Sequence, residues 1–157
     1  MIRTGDTAQP FSLPQRPGEV VDLADHIGST PVVLLFFPLA FSPVCTEEFC
    51  TIRDDWSAFE ASGAAVFGIS IDSPFVNAKF AEEQNLPFPL LSDFNRDAAR
   101  MYGVLHEDLF GMKDVAKRSV FVIDEAGKVV YDSVSDDPKV QVDFEAIRSA
   151  LSGTGVS

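Results

Sequence analysis

Two cysteines, Cys45 and Cys50, stand five positions apart in the segment PLAFSPVCTEEFC, Pro38 to Cys50. A thiol acts as a nucleophile only as the thiolate, so its reactivity is decided by what surrounds the sulfur. The segment follows an apolar, β-rich run, VVLLFF at Val32–Phe37, and leads into a helical pattern. The carboxyl end of a central strand is where open α/β sheets place ligand sites. With Ser42 as N-cap and Pro43 as the first helical residue, Cys45 takes the third helical position, beside unpaired backbone N–H groups and the positive end of the helix dipole. Negative charge is stabilised there, so Cys45 reads either as a reactive thiolate or as a small buried hydrophobe. Ser42 suits a helix cap and equally a group that polarises a bound substrate, while Pro38 ends the strand.

Cys50 leaves two readings open. Five residues of intact helix rise about 7.5 Å and turn about 140°, which puts the Cα atoms roughly 8 to 9 Å apart. A disulfide needs less than about 7 Å. A Cys45–Cys50 bond therefore requires the first turns of the helix to unwind; otherwise Cys50 is a core cysteine on the apolar face beside Phe49. The pair is neither a CxxC motif nor a disulfide framework. His26 and His106, the only histidines, do not complete a zinc spacing with the cysteines, and no metal is expected. A Cys–His hydrolytic pair would need one of them next to a cysteine in space. No glycine-rich phosphate loop is present, so no nucleotide or other cofactor is expected.

The elements that must position these residues follow from periodicity and punctuation. Phe11–Leu13 and Glu19–Leu23 bracket Pro14, Pro17 and Gly18 as a hairpin. Ser42–Ala61 is one helix, with Phe49, Ile52, Trp56 and Phe59 at spacings of three and four. Ala65–Ile71 is a strand, Phe75–Gln84 a helix opened by Ser73-Pro74, Leu90–Leu91 a short strand and Asn95–Tyr102 a helix closed by Gly103. A loop from His106 to Lys117 leads to Ser119–Ile123 and Val129–Ser133, joined by Glu125-Ala126-Gly127. Val140–Leu151 is a closing amphipathic helix. The order implies a mixed sheet sandwiched by helices, the α/β layout of the thioredoxin class. Within the His106–Lys117 loop, Leu109, Phe110 and Met112 either fold over the core or line a substrate site or dimer contact. Phe41 either lines an apolar pocket or packs in the core.

At 157 residues, with 46% hydrophobic and 23% charged side chains, the chain has the size and composition of one folded domain. Residues 1–152 are expected to form it, with 153–157 as a flexible tail. No apolar run nears the roughly 18 residues of a membrane span, and the first residues, MIRTGDTAQP, lack the apolar stretch of a secretory signal. Cytoplasmic residence is the expectation. A formal charge of −12 disfavours nucleic acid and anionic membrane as partners.

PLAFSPVC fits the P-x-x-x-[TS]-x-x-C signature of the peroxiredoxins, and Glu48 fits that family's further Glu. FFPLAF, FPLLSDF at Phe88–Phe94, YGV at Tyr102–Val104 and RSVFVID at Arg118–Asp124 fall in the family's order. Nearly the whole chain resembles the alkyl hydroperoxide reductase E group. The Cys45–Cys50 spacing also resembles bacterioferritin comigratory protein-type enzymes.

The resemblance implies a thiol peroxidase on a thioredoxin fold, acting on hydrogen peroxide and organic hydroperoxides. Cys45 would be the peroxidatic nucleophile, going to sulfenic acid. Ser42 would hydrogen-bond thiolate and peroxide, Arg118 would place a permanent cation beside the sulfur, and Pro38 would shield it from water. Glu48 would orient Arg118. Cys50 would resolve the sulfenic acid as an intramolecular disulfide, or be structural in a one-cysteine enzyme. Thioredoxin is the implied reductant of a disulfide, and a glutaredoxin-like or small-molecule thiol that of a sulfenic acid. A homodimer is suggested through edges near the site. The alternatives are a peroxide sensor or chaperone without turnover, and a thioredoxin-like disulfide reductase.

Overall fold

A computed structural model describes residues 1–152; the expected tail at 153–157 lies outside the described residues. Val32–Phe36 forms the central strand β3, after an N-terminal antiparallel hairpin of β1 (Ser12–Arg16) and β2 (Glu19–Asp22). β4 (Ala65–Ser70) and β5 (Leu90–Ser92) run parallel to β3 on one side. On the other side β8 (Ser119–Ile123) pairs directly and antiparallel with β3, followed by antiparallel β9 (Val129–Val134), while the short strands β6 (Leu105–His106) and β7 (Val115–Ala116) form a separate pair. The five-stranded order is β5-β4-β3-β8-β9.

Strand periodicity splits the apolar run of β3 between two cores. Val32, Leu34 and Phe36 face one with Tyr102, Ala98 and Phe121; Val33, Leu35 and Phe37 face the other with Cys45, Phe49, Phe80 and Ile147. Every residue of β3 is buried, as a strand covered on both faces requires. Helices α1 (Pro43–Asp54), α2 (Trp56–Ala61), α3 (Pro74–Glu83) and α5 (Phe144–Ser152) supply side chains to the second core, and α4 (Asp97–Tyr102) to the first. This is the expected mixed sheet between helices. Gly68 of β4 seats α1 closely: a Cβ there would collide with Leu90 and come within 3.3 Å of the Phe49 ring.

Three elements differ from expectation. The single helix 42–61 is broken at Asp55 (φ −109°, ψ 24°), a poor helix former whose carboxylate pairs with Arg148 at 2.7 Å. The closing helix begins at Phe144 rather than Val140, because Asp143 Oδ1 accepts from the Ala146 N–H and the Val142 N–H is held by Glu48. The 106–117 segment is no plain loop: Leu105–His106 pairs with Val115–Ala116.

Candidate active site

The strand-to-helix turn after β3 carries Pro38, Ser42 and Cys45. Its backbone is pinned by the Ala40 N–H donating to Asp72 Oδ2 at 2.7 Å, an oxygen that also accepts from Ser70 Oγ. Phe41 takes a left-handed conformation (φ 67°) and its half-exposed ring rests on Phe80, 5.0 Å between centroids, rather than lining the cavity described below or sitting wholly in the core.

Pro43 opens α1, so Cys45 is the third helical residue, and it is wholly buried. Ser42 has the extended N-cap backbone but makes no side-chain cap, which corrects the capping expectation. Its Oγ donates instead to the Leu39 carbonyl at 2.8 Å. The hydroxyl is drawn back into the turn that delivers it, leaving the first-turn N–H groups without a capping oxygen from Ser42.

Arg118 arrives from the other end of the chain by strand pairing. In the antiparallel register Ser119 stands opposite Phe36, which sets Arg118 beside the exit of β3, where the Cys45 turn begins. Only 2% exposed, it uses each face of its fork. Nη2 lies 2.9 Å from Cys45 Sγ, Nη1 3.1 Å from Glu48 Oε2, and Nε donates to the Pro138 carbonyl at 3.2 Å. Three directed bonds from one planar cation fix its position in a way a lysine could not reproduce.

Glu48, wholly buried one helical turn beyond Cys45, also accepts from the Val142 N–H at 3.0 Å through Oε1. Burial pushes its carboxyl up, opposed by the Arg118 guanidinium and the Val142 N–H. With both oxygens committed, Glu48 has the geometry of a partner to Arg118 rather than of a base.

Above this cluster is a cavity of about 280 Å³ lined by the apolar Pro38, Leu39, Pro43, Val44 and Leu109 together with Ser42 and Arg118. Pro38 itself is buried. Phe110, Pro138 and Lys139 complete the lining. Phe110 and Gly111 form a two-residue turn between Leu109 and Met112, both with positive φ (53° and 84°), which holds the 79%-exposed Phe110 ring at the mouth.

Cys50 is half-buried and free, its Sγ 3.3 Å from Gln84 Oε1, so it is not the core cysteine that one reading expected. Neither histidine bonds a cysteine: His26 packs on Phe67, and His106 is buried in β6, its Nε2 without a hydrogen bond among the described residues. Among the described residues no group of three His, Cys, Asp or Glu could hold a metal ion, and no helix is long and apolar enough to cross a membrane.

Asp72, Pro138, Lys139 and Val142 escaped the sequence reading. Pro138 and Val142 act through the main chain, which carries no residue-type signal; Asp72 could have been found from its place at the end of β4, level with the Cys45 turn.

The arrangement gives a buried sulfur, a fixed cation bonded to it and an apolar cavity that the cation and Ser42 line. The profile of the AhpC/TSA family matches residues 4–132. Peroxiredoxin Bcp of Escherichia coli is 39% identical over 152 residues, 96% of each chain. A putative peroxiredoxin of Mycobacterium tuberculosis is 42% identical over 131 residues, 82% of this chain and 83% of its own. The crystal structure of peroxidoxin BcpB from Mycobacterium tuberculosis superposes with a TM-score of 0.84 at 36% identity, over 97% of each chain. The bacterioferritin comigratory protein of Xanthomonas campestris, whose structures concern alkyl peroxide reduction, gives 0.79 at 26% identity, covering 94% of this chain and 98% of that one. The chain belongs to the AhpC/TSA family and is a peroxiredoxin, a thiol-dependent peroxidase.

Proposed function

We propose that the chain reduces hydrogen peroxide and organic hydroperoxides at Cys45. The observation that carries this is the Arg118 Nη2 contact 2.9 Å from a wholly buried Cys45 sulfur, under an apolar cavity. A guanidinium in a low-dielectric site stabilises the thiolate and the charge that spreads over the breaking O–O bond. The thiolate attacks one peroxide oxygen and the S–O bond forms as O–O breaks. The electron pair leaves on the other oxygen, which takes a proton to become water or an alcohol. Cys45 is left as sulfenic acid.

Ser42 and Arg118 flank the path of the peroxide, and the Val44 and Cys45 N–H groups that Ser42 leaves uncapped face the same developing charge. Pro38 keeps water from the sulfur. Glu48 holds Arg118 in register and is a positioning residue.

Cys50 condenses with the sulfenic acid, forming the S–S bond and releasing water, and a dithiol such as thioredoxin restores both thiols. The resting contact of Cys50 with Gln84, inside an intact α1, favours a second reading, in which Cys50 is structural and a glutaredoxin-like or small-molecule thiol reduces Cys45 directly. Two free cysteines suit a reducing compartment such as the cytoplasm. The exposed Phe41, Phe94 and Phe110 on loops and Phe75 in the first turn of α3, at the active-site end of the sheet, support a homodimer through that edge.

The test is turnover. NADPH oxidation coupled through thioredoxin reductase and thioredoxin is expected with hydrogen peroxide or an alkyl hydroperoxide, and not with Cys45→Ser. Stoichiometric oxidation of the protein without turnover on any thiol reductant would make it a sensor instead.

A further inference from the structure

Cys50 is tied to one residue at two points. Its Sγ lies 3.3 Å from the side-chain oxygen of Gln84, and Arg53, three positions along α1, donates from Nη1 to the Gln84 main-chain oxygen at 2.7 Å. Residues three apart share a helix face, so one face of α1 is fastened to the end of α3. Gln84 is a firm anchor: its N–H bonds the carbonyl of Phe80, a core residue, and the following turn is closed by the Leu86 N–H on the Ala81 carbonyl.

Beyond Asp54 the helix stops, since Asp55 leaves helical geometry. The stretch from Cys50 to Asp54 therefore runs between a polar tie and a break. Cys45, Glu48 and Phe49 are wholly buried, and within the stretch itself so is Ile52, whereas Cys50 is half-buried. The helical span between the two sulfurs exceeds disulfide reach, so one cysteine must leave the helix; release at the Cys50 end, next to the break at Asp55, displaces Ile52 from the core but leaves the Cys45 site in place.

We propose that Gln84 is a positioning residue for the resolving step, a latch whose side-chain oxygen holds the Cys50 thiol in the helical, reduced state until, with Arg53, it lets go. This rests on the reading of Cys50 as the resolving thiol. In the step it governs, the Cys50 S–H and the Cys45 S–OH condense to the disulfide and water. The latch stabilises the reduced helix, so it slows that condensation and raises the reduction potential of the pair. Attack on peroxide comes earlier, at a sulfur that Gln84 does not touch.

Two readouts test it. In Cys45→Ser protein, alkylation of native Cys50 by iodoacetamide reports release of the latch alone. Gln84→Leu, nearly isosteric but without an acceptor, is expected to speed it about fivefold, the weight of one neutral hydrogen bond. Gln84→Glu, which keeps an acceptor oxygen, is expected to restore the slow rate. With both cysteines present, Gln84→Leu is expected to shorten the life of the sulfenic acid by the same factor. It should also move the midpoint potential about 20 mV more negative, which is fivefold for a two-electron couple. The rate of sulfenic acid formation is expected to stay unchanged.

Wild-type values of alkylation and potential in Gln84→Leu overturn the latch while leaving Cys50 as the resolving thiol. Faster alkylation without any internal disulfide in the wild type would instead reject the resolving role, and the catalytic meaning of the latch with it. Should Gln84→Leu fail to fold, Arg53→Met removes the second tie and is expected to shift both readouts in the same direction; no shift there rejects the proposal.

Discussion

The two cysteines lie on one helix, and their surroundings differ in kind. Cys45, in the first turn, is wholly buried and faces a guanidinium that is itself bonded to a buried carboxylate and a main-chain carbonyl. Cys50, half-buried and near the break at Asp55, meets one neutral amide oxygen. A buried cation beside a sulfur favours negative charge on it and forbids rearrangement, since parting buried charges costs several kcal/mol. A single neutral hydrogen bond contributes only about 1 kcal/mol and releases easily. Where the chemistry needs a charged nucleophile the fold is rigid, and where it needs a moving thiol the fold is loosely fastened.

Substitutions at the two ends should separate these roles on one observable, the rate of sulfenic acid formation. Cys45→Ser is expected to lower it by at least about 10³-fold, since a serine hydroxyl in its place cannot form a sulfenic acid and Cys45 is the sulfur that Arg118 contacts. Arg118→Met removes the cation and keeps the bulk; the rate is expected to fall about 10² to 10³-fold, as for loss of a fixed charge-stabilising donor. The same change strands Glu48 as an unpaired buried carboxylate, and denaturant unfolding should show a loss of about 3 to 5 kcal/mol.

Glu48→Gln keeps an oxygen for the Val142 N–H but deprives Arg118 of its counter-charge. Stability is expected to drop by about 1.5 to 3 kcal/mol, the range for hydrogen bonds to charged groups, with a rate loss smaller than that of Arg118→Met. Cys50→Ser closes the series: stopped-flow oxidation should be within about twofold of wild type, well under the 1.4 kcal/mol that a tenfold change represents, while turnover on thioredoxin disappears. A large fall in the first oxidation rate of Cys50→Ser would mean that the two ends of α1 are not independent.

Much of this contrast was legible in the sequence at the Cys45 end. The run Val32–Phe37, the stop at Pro38 and the start at Ser42-Pro43 are local signals, and together they put Cys45 at a helix start after a central strand. Arg118 and Glu48 are 70 positions apart, and only the family resemblance paired them; what joins them is the antiparallel register of β3 with β8. The Cys50 end was hardly legible. Gln84 is an ordinary polar residue at the end of a helix, and its contact with Cys50 depends on how α3 lies against α1. The break at Asp55 was hidden because Phe49, Ile52, Trp56 and Phe59 keep helical spacing across it. Ser42 shows the opposite failure: a good capping residue in the right place turned its hydroxyl to Leu39, because a tight turn satisfied it first.

The division of labour between the two sulfurs is tested most directly by intact mass after one equivalent of hydrogen peroxide, with and without a sulfenic-acid trap, on wild type and Cys50→Ser. The wild type is expected to lose two hydrogens and carry no trapped adduct, and Cys50→Ser to be trapped as the sulfenic acid at Cys45. A trapped sulfenic acid in both proteins would contradict the role of Cys50, and an unmodified Cys45 in both would contradict the role of Cys45 as the peroxidatic nucleophile.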